Sequence, residues 1–374
     1  METLKVRFLN DLLRRRDENG AERYAEVMTG MMKRARNCYA ESLVISNEEF
    51  LEMMVLDGCF IVELIHKFDD GSYQTDPILN VPQITKNILK DLALVENQLP
   101  FFVLWELFGE MTEDPSPYIF IILKMFERVM PGLRISETYD ENSMKNLKHL
   151  IDLLRTNWLP SEDSMREYQK VQEDGGWSFI RSATELREAG IKFKRSNRCN
   201  LFDLKFEKGT LYIPALNIED DTERLFRNII ACEQFDHRGS PIYLSQYRKV
   251  VDCLINTGKD VELLCHKGII MNWLGTDEEV AEMINRLGTE VLISSKHFFY
   301  AKLFNDVNNH YNRPWNRRIA SLRHNYFNTP WTLISFLAAA FLLLLALLQT
   351  TFTIFPVLKV PETIFMEGTT WISR

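Results

Sequence analysis

Apolar and polar positions follow the period of a helix along most of this chain. Leu4, Phe8, Leu9, Leu12 and Leu13 form one stripe, and Tyr24, Val27, Met28, Met31, Met32 and Ala35 form another. Ser46 followed by Glu49 predicts a capping box that opens a helix carrying Phe50, Met53, Met54, Phe60, Ile61, Leu64 and Ile65. Asp69 to Ser72 reads as a loop. A helical stretch near Ile84 leads into one over Asp91 to Met111, and Pro100 opens its second part, where a missing N–H is tolerated. Ser116 to Met130 and Ser143 to Arg155 follow as helices, so residues 1–158 make a helical N-terminal part of a body. The methionine stripes fit either a partner groove or a core, and core packing is the favoured reading.

Leu159 to Phe179 is polar, with Pro160 and Gly175-Gly176, which predicts an exposed loop over 159–181. Ser182 and Glu185 make a second capping box, with Gly190 as the C-cap of a short helix. The period then drops to two over Ile191 to Lys194, Leu201 to Phe206 and Thr210 to Pro214, with Gly209 turning between the last two. This predicts a small antiparallel sheet. Helices resume at Thr222 to Phe235, Leu244 to Asn256, Asp260 to His266, Asp277 to Leu287 (closed by Gly288) and Lys296 to His310. Residues 182–310 are therefore an α+β C-terminal part of the body.

One segment departs from this pattern. No charged side chain occurs from Asn325 to Leu358, and Trp331 to Phe355 reads WTLISFLAAAFLLLLALLQTTFTIF. As a helix it spans roughly 37 Å, more than the ~30 Å hydrocarbon core of a bilayer. Its Leu, Ile and Phe residues contribute roughly −4 to −8 kcal/mol to insertion. Trp331, Leu333, Phe336, Leu342, Leu345, Leu348, Phe352 and Phe355 are the anchor positions. Lys302, Arg313, Arg317, Arg318 and Arg323 precede the segment, whereas Lys359 and Arg374 follow it with Glu362 and Glu367. The excess of cations on one side predicts a cytosolic body and an extra-cytosolic tail over 356–374. The fold class is thus mainly α with a small antiparallel β insertion, plus one C-terminal transmembrane helix of the tail-anchored type. The basic segment 311–330 fits an anionic leaflet or an ordinary juxtamembrane helix equally well.

Composition narrows the function. A formal charge of −8 over 374 residues argues against a general nucleic-acid binder. Arg14, Arg15 and Arg16 read as a solvated helix face. The six cysteines form no Cys-x-x-Cys pair, which predicts reduced, mostly buried thiols. There is no signal-peptide pattern and no Asn-x-Ser/Thr sequon. The Gly-x-x-x-x-Gly-Lys, Gly-x-Gly-x-x-Gly, Gly-x-Ser-x-Gly and His-Glu-x-x-His motifs are missing, so no cofactor or metal is expected. Cys265-His266 presents two ligand types in different directions and reads as packing.

Two polar clusters interrupt apolar runs: Glu96-Asn97-Gln98, before Leu99-Pro100-Phe101, and Glu233-Gln234. Either they supply a catalytic carboxylate pair, or they cap helices and bond loop backbone. The structural reading is favoured, and Asp57 beside Gly58 and Cys59 invites the same two readings.

These residues also carry a resemblance. Val55 to Ile61, the DLALVENQLPFF run from Asp91, SATELREAGIKFK from Ser182, TERLFRNIIACEQ from Thr222 and WNRRIASLRHNYFNTPW from Trp315 resemble the signature blocks of the plant family called domain of unknown function 247. Family members usually carry a further N-terminal segment, and Met1 falls where the family is already in its first long helix. The resemblance implies a plant membrane protein with no established catalytic residues. Association of some grass relatives with pollen–stigma self-incompatibility implies recognition or signalling. The expected partners are the lipid bilayer and a protein of unknown identity. The rival expectations are a membrane-tethered enzyme using Glu96 or Glu233, and an inert shortened relative.

Overall fold

The computed structural model describes residues 2–39, 44–112, 114–130, 133, 135, 146–169, 176–197, 200–236, 241–288, 291, 293, 297–314 and 330–357. It divides into two units, Met1–Arg187 with Ile191–Asn312, and Glu188–Gly190 with Arg313–Arg374.

The first unit is organised by a central helix. α1 (Glu2–Arg15) and α2 (Glu22–Arg36) bury Phe8, Leu12, Tyr24 and Met28. They pack on α3 (Asn47–Asp69), whose Cys59, Val62 and Leu64 are fully buried. The predicted capping box is formed: Ser46 Oγ accepts the Glu49 amide at 3.1 Å, and the Glu49 carboxylate accepts the Ser46 amide at 2.8 Å. Met28 and Met54 are buried, and Met31 and Met32 are half-buried beside Phe50 and Leu51. The three adjacent arginines differ from a solvated face. Arg14 is exposed, but Arg15 bonds Glu63 at 3.1 Å and Asp70 at 2.7 Å, and Arg16 donates to the Glu110 carbonyl at 2.6 Å. Two of the three therefore tie α1 to its neighbours.

α4 (Pro82–Leu92) ends earlier than the apolar run does. A 3₁₀ turn at Val95–Asn97 intervenes before α5 (Phe101–Gly109). The predicted stretch from Asp91 to Met111 is broken because Gln98 takes the Leu92 and Leu94 carbonyls on its side-chain amide, at 2.8 and 2.7 Å, and Pro100 has no N–H to continue a helix. α6 (Ser116–Phe126) follows. α7 (Leu150–Asn157) is preceded by a stretch in which the Phe101 amide bonds the Lys148 carbonyl at 2.8 Å and holds Pro100 and His149 in an antiparallel bridge; the first residues of the helix expected from Ser143 lie outside the described part. Within the predicted loop 159–181 lies a short polar helix, α8 (Glu162–Gln169). α9 (Ala183–Glu188) has its expected cap, with the Ser182 amide donating to Glu185 at 3.2 Å, and Gly190 sits at φ +88°.

The sheet is mixed rather than antiparallel. β1 (Lys192–Arg195) runs parallel to β3 (Thr210–Ile213), while β2 (Lys205–Glu207) pairs β3 antiparallel. Lys208 and Gly209 both take positive φ (49° and 77°), the requirement of a tight two-residue hairpin. Phe193, Leu211 and Ile213 face the core. A second sheet was not anticipated: β4 (Leu216–Ile218) pairs in parallel with β5 (Ile270–Asn272), more than fifty residues away. Between and after them come α10 (Thr222–Gln234), α11 (Tyr243–Leu254), α12 (Gly258–His266), α13 (Asp277–Leu287) and α14 (Ala301–Tyr311).

The second unit contains α15 (Pro330–Val357). Its window Ile334–Thr353 is long and apolar enough to cross a membrane, and none of that window is buried. Phe336, Leu342, Leu345, Leu348 and Phe352 are all exposed. Trp331, Leu333 and Phe355 lie in the helix, and their side chains fall outside the described part. So do residues 315–329, most of the basic segment, and the tail 358–374.

Candidate functional site

The carboxylates singled out in the sequence separate in space and in role. Glu96 is exposed on the 3₁₀ turn, which removes it as a buried acid. Asn97 donates to the Asp91 carbonyl at 3.0 Å. Gln98 also accepts the Ile151 amide at 3.1 Å, so one side chain joins the end of α4 to the first turn of α7. Pro100 and Phe101 are buried at the start of α5.

Glu233 is 4% exposed at the end of α10. Its Oε1 accepts the Leu244 amide at 2.9 Å, and its Oε2 accepts the Ser245 amide at 2.8 Å and the Ser245 hydroxyl. The first turn of α11 is thus capped by a neighbouring helix, its own Ile242 having no side chain that could do so. Burial pushes the Glu233 carboxyl up to about 7, against the Ser245 hydroxyl, the two amides and Arg155. Gln234 donates to the Ser245 hydroxyl at 3.3 Å. Nearby, Arg155 bonds Asp152 at 2.7 Å and Asp236 at 2.9 Å. In the two clusters Asn97, Gln98 and Glu233 bond backbone groups, and Gln234 bonds the Ser245 hydroxyl.

Asp57 pairs with Lys5 across α1 and α3. A Cβ on Gly58 would lie 2.5 Å from Leu107 Cδ1 and 3.1 Å from Met28 Cε, so a larger residue there would push those two side chains aside. Burial pushes the Cys59 thiol up to about 12 and those of Cys232 and Cys253 up to about 11, an unreactive state. Cys38, by contrast, is exposed, and the described cysteines are all free.

Open volume lies elsewhere. A cleft of about 550 Å³ opens among α4, the end of α6, the end of α7, β1, β4, α10 and β5. Trp158, Leu201, Leu216, Leu225, Phe226 and Met271 give it an apolar floor. Its charged lining comprises Lys86, Lys90, Arg128 and Arg195 against Glu219 and Asp221. Lys86 pairs with Glu219 and Lys90 with Asp221, joining the N-terminal helices to the β4–α10 corner. Glu96 and Glu233 do not line it. Nothing in the sequence reading pointed here. The available signal was Lys86 and Lys90 one helical turn apart and the acidic run Glu219 to Asp221, and neither says that the two meet.

The architecture defines a mainly helical body with small sheets, joined in sequence to an apolar helix of membrane-crossing length. The chain belongs to the DUF247 family, described as plant protein of unknown function, whose model matches residues 1–345. It is 32% identical over 341 residues to UPF0481 protein At3g47200 of Arabidopsis thaliana, covering 85% of this chain and 71% of that one. It is 25% identical over 416 residues to a second UPF0481 protein of Arabidopsis thaliana, At3g02645, covering 87% and 78%. No solved structure matches the chain.

Proposed function

We propose that this protein is a single-pass membrane protein whose body recognises a partner rather than catalysing a reaction. The observation that carries the reading is the exposed apolar helix α15. None of its twenty-residue window Ile334–Thr353 is buried, and water is a poor solvent for such a surface. A bilayer covers such a surface at no cost in backbone hydrogen bonds, because a helix satisfies its own. The cations at Lys302, Arg313, Arg317, Arg318 and Arg323 keep the body on the cytosolic side. The non-catalytic part rests on the commitments of Glu96, Gln98 and Glu233: one is exposed, and two are engaged with backbone.

Carbonate washing of membranes carrying the full chain tests the anchor, and protease digestion of sealed vesicles tests the orientation. The chain is expected to stay with the lipid at alkaline pH, with the body digested from the cytosolic face. Release into the wash, or digestion of body and tail from one face, overturns the reading. Recovery of a specific protein partner from membrane extracts supports recognition. Loss of a measurable turnover in Glu233→Gln, with folding intact, would favour the enzyme instead.

A further inference from the structure

The cleft has a charge imbalance that its own residues do not resolve. Each carboxylate in its wall is already held by a lysine, and Asp221 also bonds Arg224 at 3.1 Å. The hydrogen bond from the Lys90 ammonium holds the Asp221 carboxyl below its ordinary value, so the acid stays charged and committed. Arg128 and Arg195 have no carboxylate partner among the described residues. Arg128 meets only aromatic groups: its guanidinium lies 5.3 Å from the Phe68 ring centre and 5.4 Å from that of Tyr73, and it donates to the Tyr73 hydroxyl at 3.3 Å. Arg195, at the end of β1, is exposed and unpaired among those residues.

Arg195, and Arg128 with only neutral aromatic partners among the described residues, therefore line a cleft with a floor of Trp158, Leu216, Leu225 and Phe226. A low-dielectric floor concentrates the field of such cations. Guanidinium groups match planar or tetrahedral oxyanions better than ammonium groups do. The volume of about 550 Å³ is that of a small-molecule site. A cationic ligand would have to displace Lys86 or Lys90 from its carboxylate, and a purely apolar one would leave both arginines without a counter-charge. We propose that this cleft binds a small amphipathic anion, with an apolar body on the Trp158–Phe226 floor and an oxyanion group held by Arg128 and Arg195. The inference does not depend on the recognition reading.

The test uses the full chain in nanodiscs of zwitterionic lipid, with empty discs as the reference. The probes are 2-naphthalenesulfonate, its uncharged counterpart 2-naphthylmethanol, and inorganic sulfate. The sulfonate is expected to bind at least tenfold more tightly than either. Arg195→Gln and Arg128→Gln are each expected to weaken the sulfonate about tenfold, the scale of one charge-assisted hydrogen bond, and to leave the alcohol unchanged. Leu225→Asn should weaken both organic probes. Arg227→Gln, whose guanidinium pairs with Glu223 at 2.8 Å and which does not line the cleft, should change nothing. Equal binding of sulfonate and alcohol overturns the proposal, as does sulfate matching the sulfonate. An affinity unmoved by both arginine variants does so too. Adding phosphatidylglycerol to the discs separates two sources of the anion: competition with the probe identifies a lipid headgroup, and unchanged binding a free solute. A chain that leaves the discs refutes the anchor, whereas one that stays and binds nothing refutes the site.

Discussion

Two parts of the body bury carboxylates by different means. In the N-terminal helices, Asp76 is surrounded by cations: Arg7 donates to it at 2.5 Å and Lys67 at 3.1 Å, while the Ile78 and Leu79 amides donate at 2.9 and 3.1 Å. Lys67 in turn reaches Asp11 at 3.0 Å, and Arg15 clamps Glu63 through two hydrogen bonds of 3.1 Å. In the C-terminal half, Glu233 has the start of α11 and a serine hydroxyl. Burial opposes the charge in both places. Around Asp76 the cations and amides overcome it and hold the carboxyl well below the usual range; around Glu233 they do not. Dipoles at a helix start satisfy hydrogen bonds but do not offset the loss of water at Glu233, and one clamping arginine does not offset it at Glu63 either, whose carboxyl burial also pushes up; Asp76 has two cations and two amides together.

Removing one partner from the charged cluster should have the largest effect. Asp76→Ala takes a close carboxylate from both Arg7 and Lys67 and frees two amides, and a loss of about 3 kcal/mol is expected from breaking a buried pair. Thermal or urea unfolding in nanodiscs measures it, and a change within error would mean the cluster is held open to water. Glu233→Ala should cost about 2 kcal/mol, the scale of a lost cap with unmet buried amides.

The two carboxylates should also respond to pH with opposite sign. The folded state binds a proton on Glu233 more tightly than the unfolded state does, so its contribution is full at acid pH and declines as pH rises from 4.5 to about 7. The folded carboxyl of Asp76 is depressed, so its contribution is present above the ordinary carboxylate range and declines as pH falls. Stability measured against pH for the parent and for Glu233→Gln should diverge through the 4.5 to 7 window. Parallel curves would show that Glu233 stays ionised throughout.

The smallest effect belongs to a helix that caps itself. Ser46→Ala removes the local cap of α3 at an exposed position and should cost about 1 kcal/mol. A larger loss than that from Glu233→Ala would reverse the ranking of borrowed over local caps.

Legibility in the sequence followed the range of the interaction. The Ser46–Glu49 and Ser182–Glu185 boxes, the αL glycine at Gly190 and the Lys208-Gly209 turn involve neighbours within a few residues, and all form near where the pattern puts them. The break at Ala93 to Pro100 was missed because Gln98 acts through its side chain on carbonyls four and six residues back, which periodicity does not register. β4 and β5, three residues each, are too short to carry a period, and their pairing crosses three helices. Arg15 and Arg16 read as solvated because nothing in RRR names Glu63 or the Glu110 carbonyl.

What the amino-acid order determined by itself is the helix-rich body and the apolar segment near its end. Burial period and hydrocarbon solubility are properties of a segment alone. Tertiary structure decided the cap that Glu233 lends to α11, the mixed pairing of the sheets and the cleft between α4 and β4–α10. Each of these depends on where separate segments meet, and packing of the whole core, not any local preference, sets that distance.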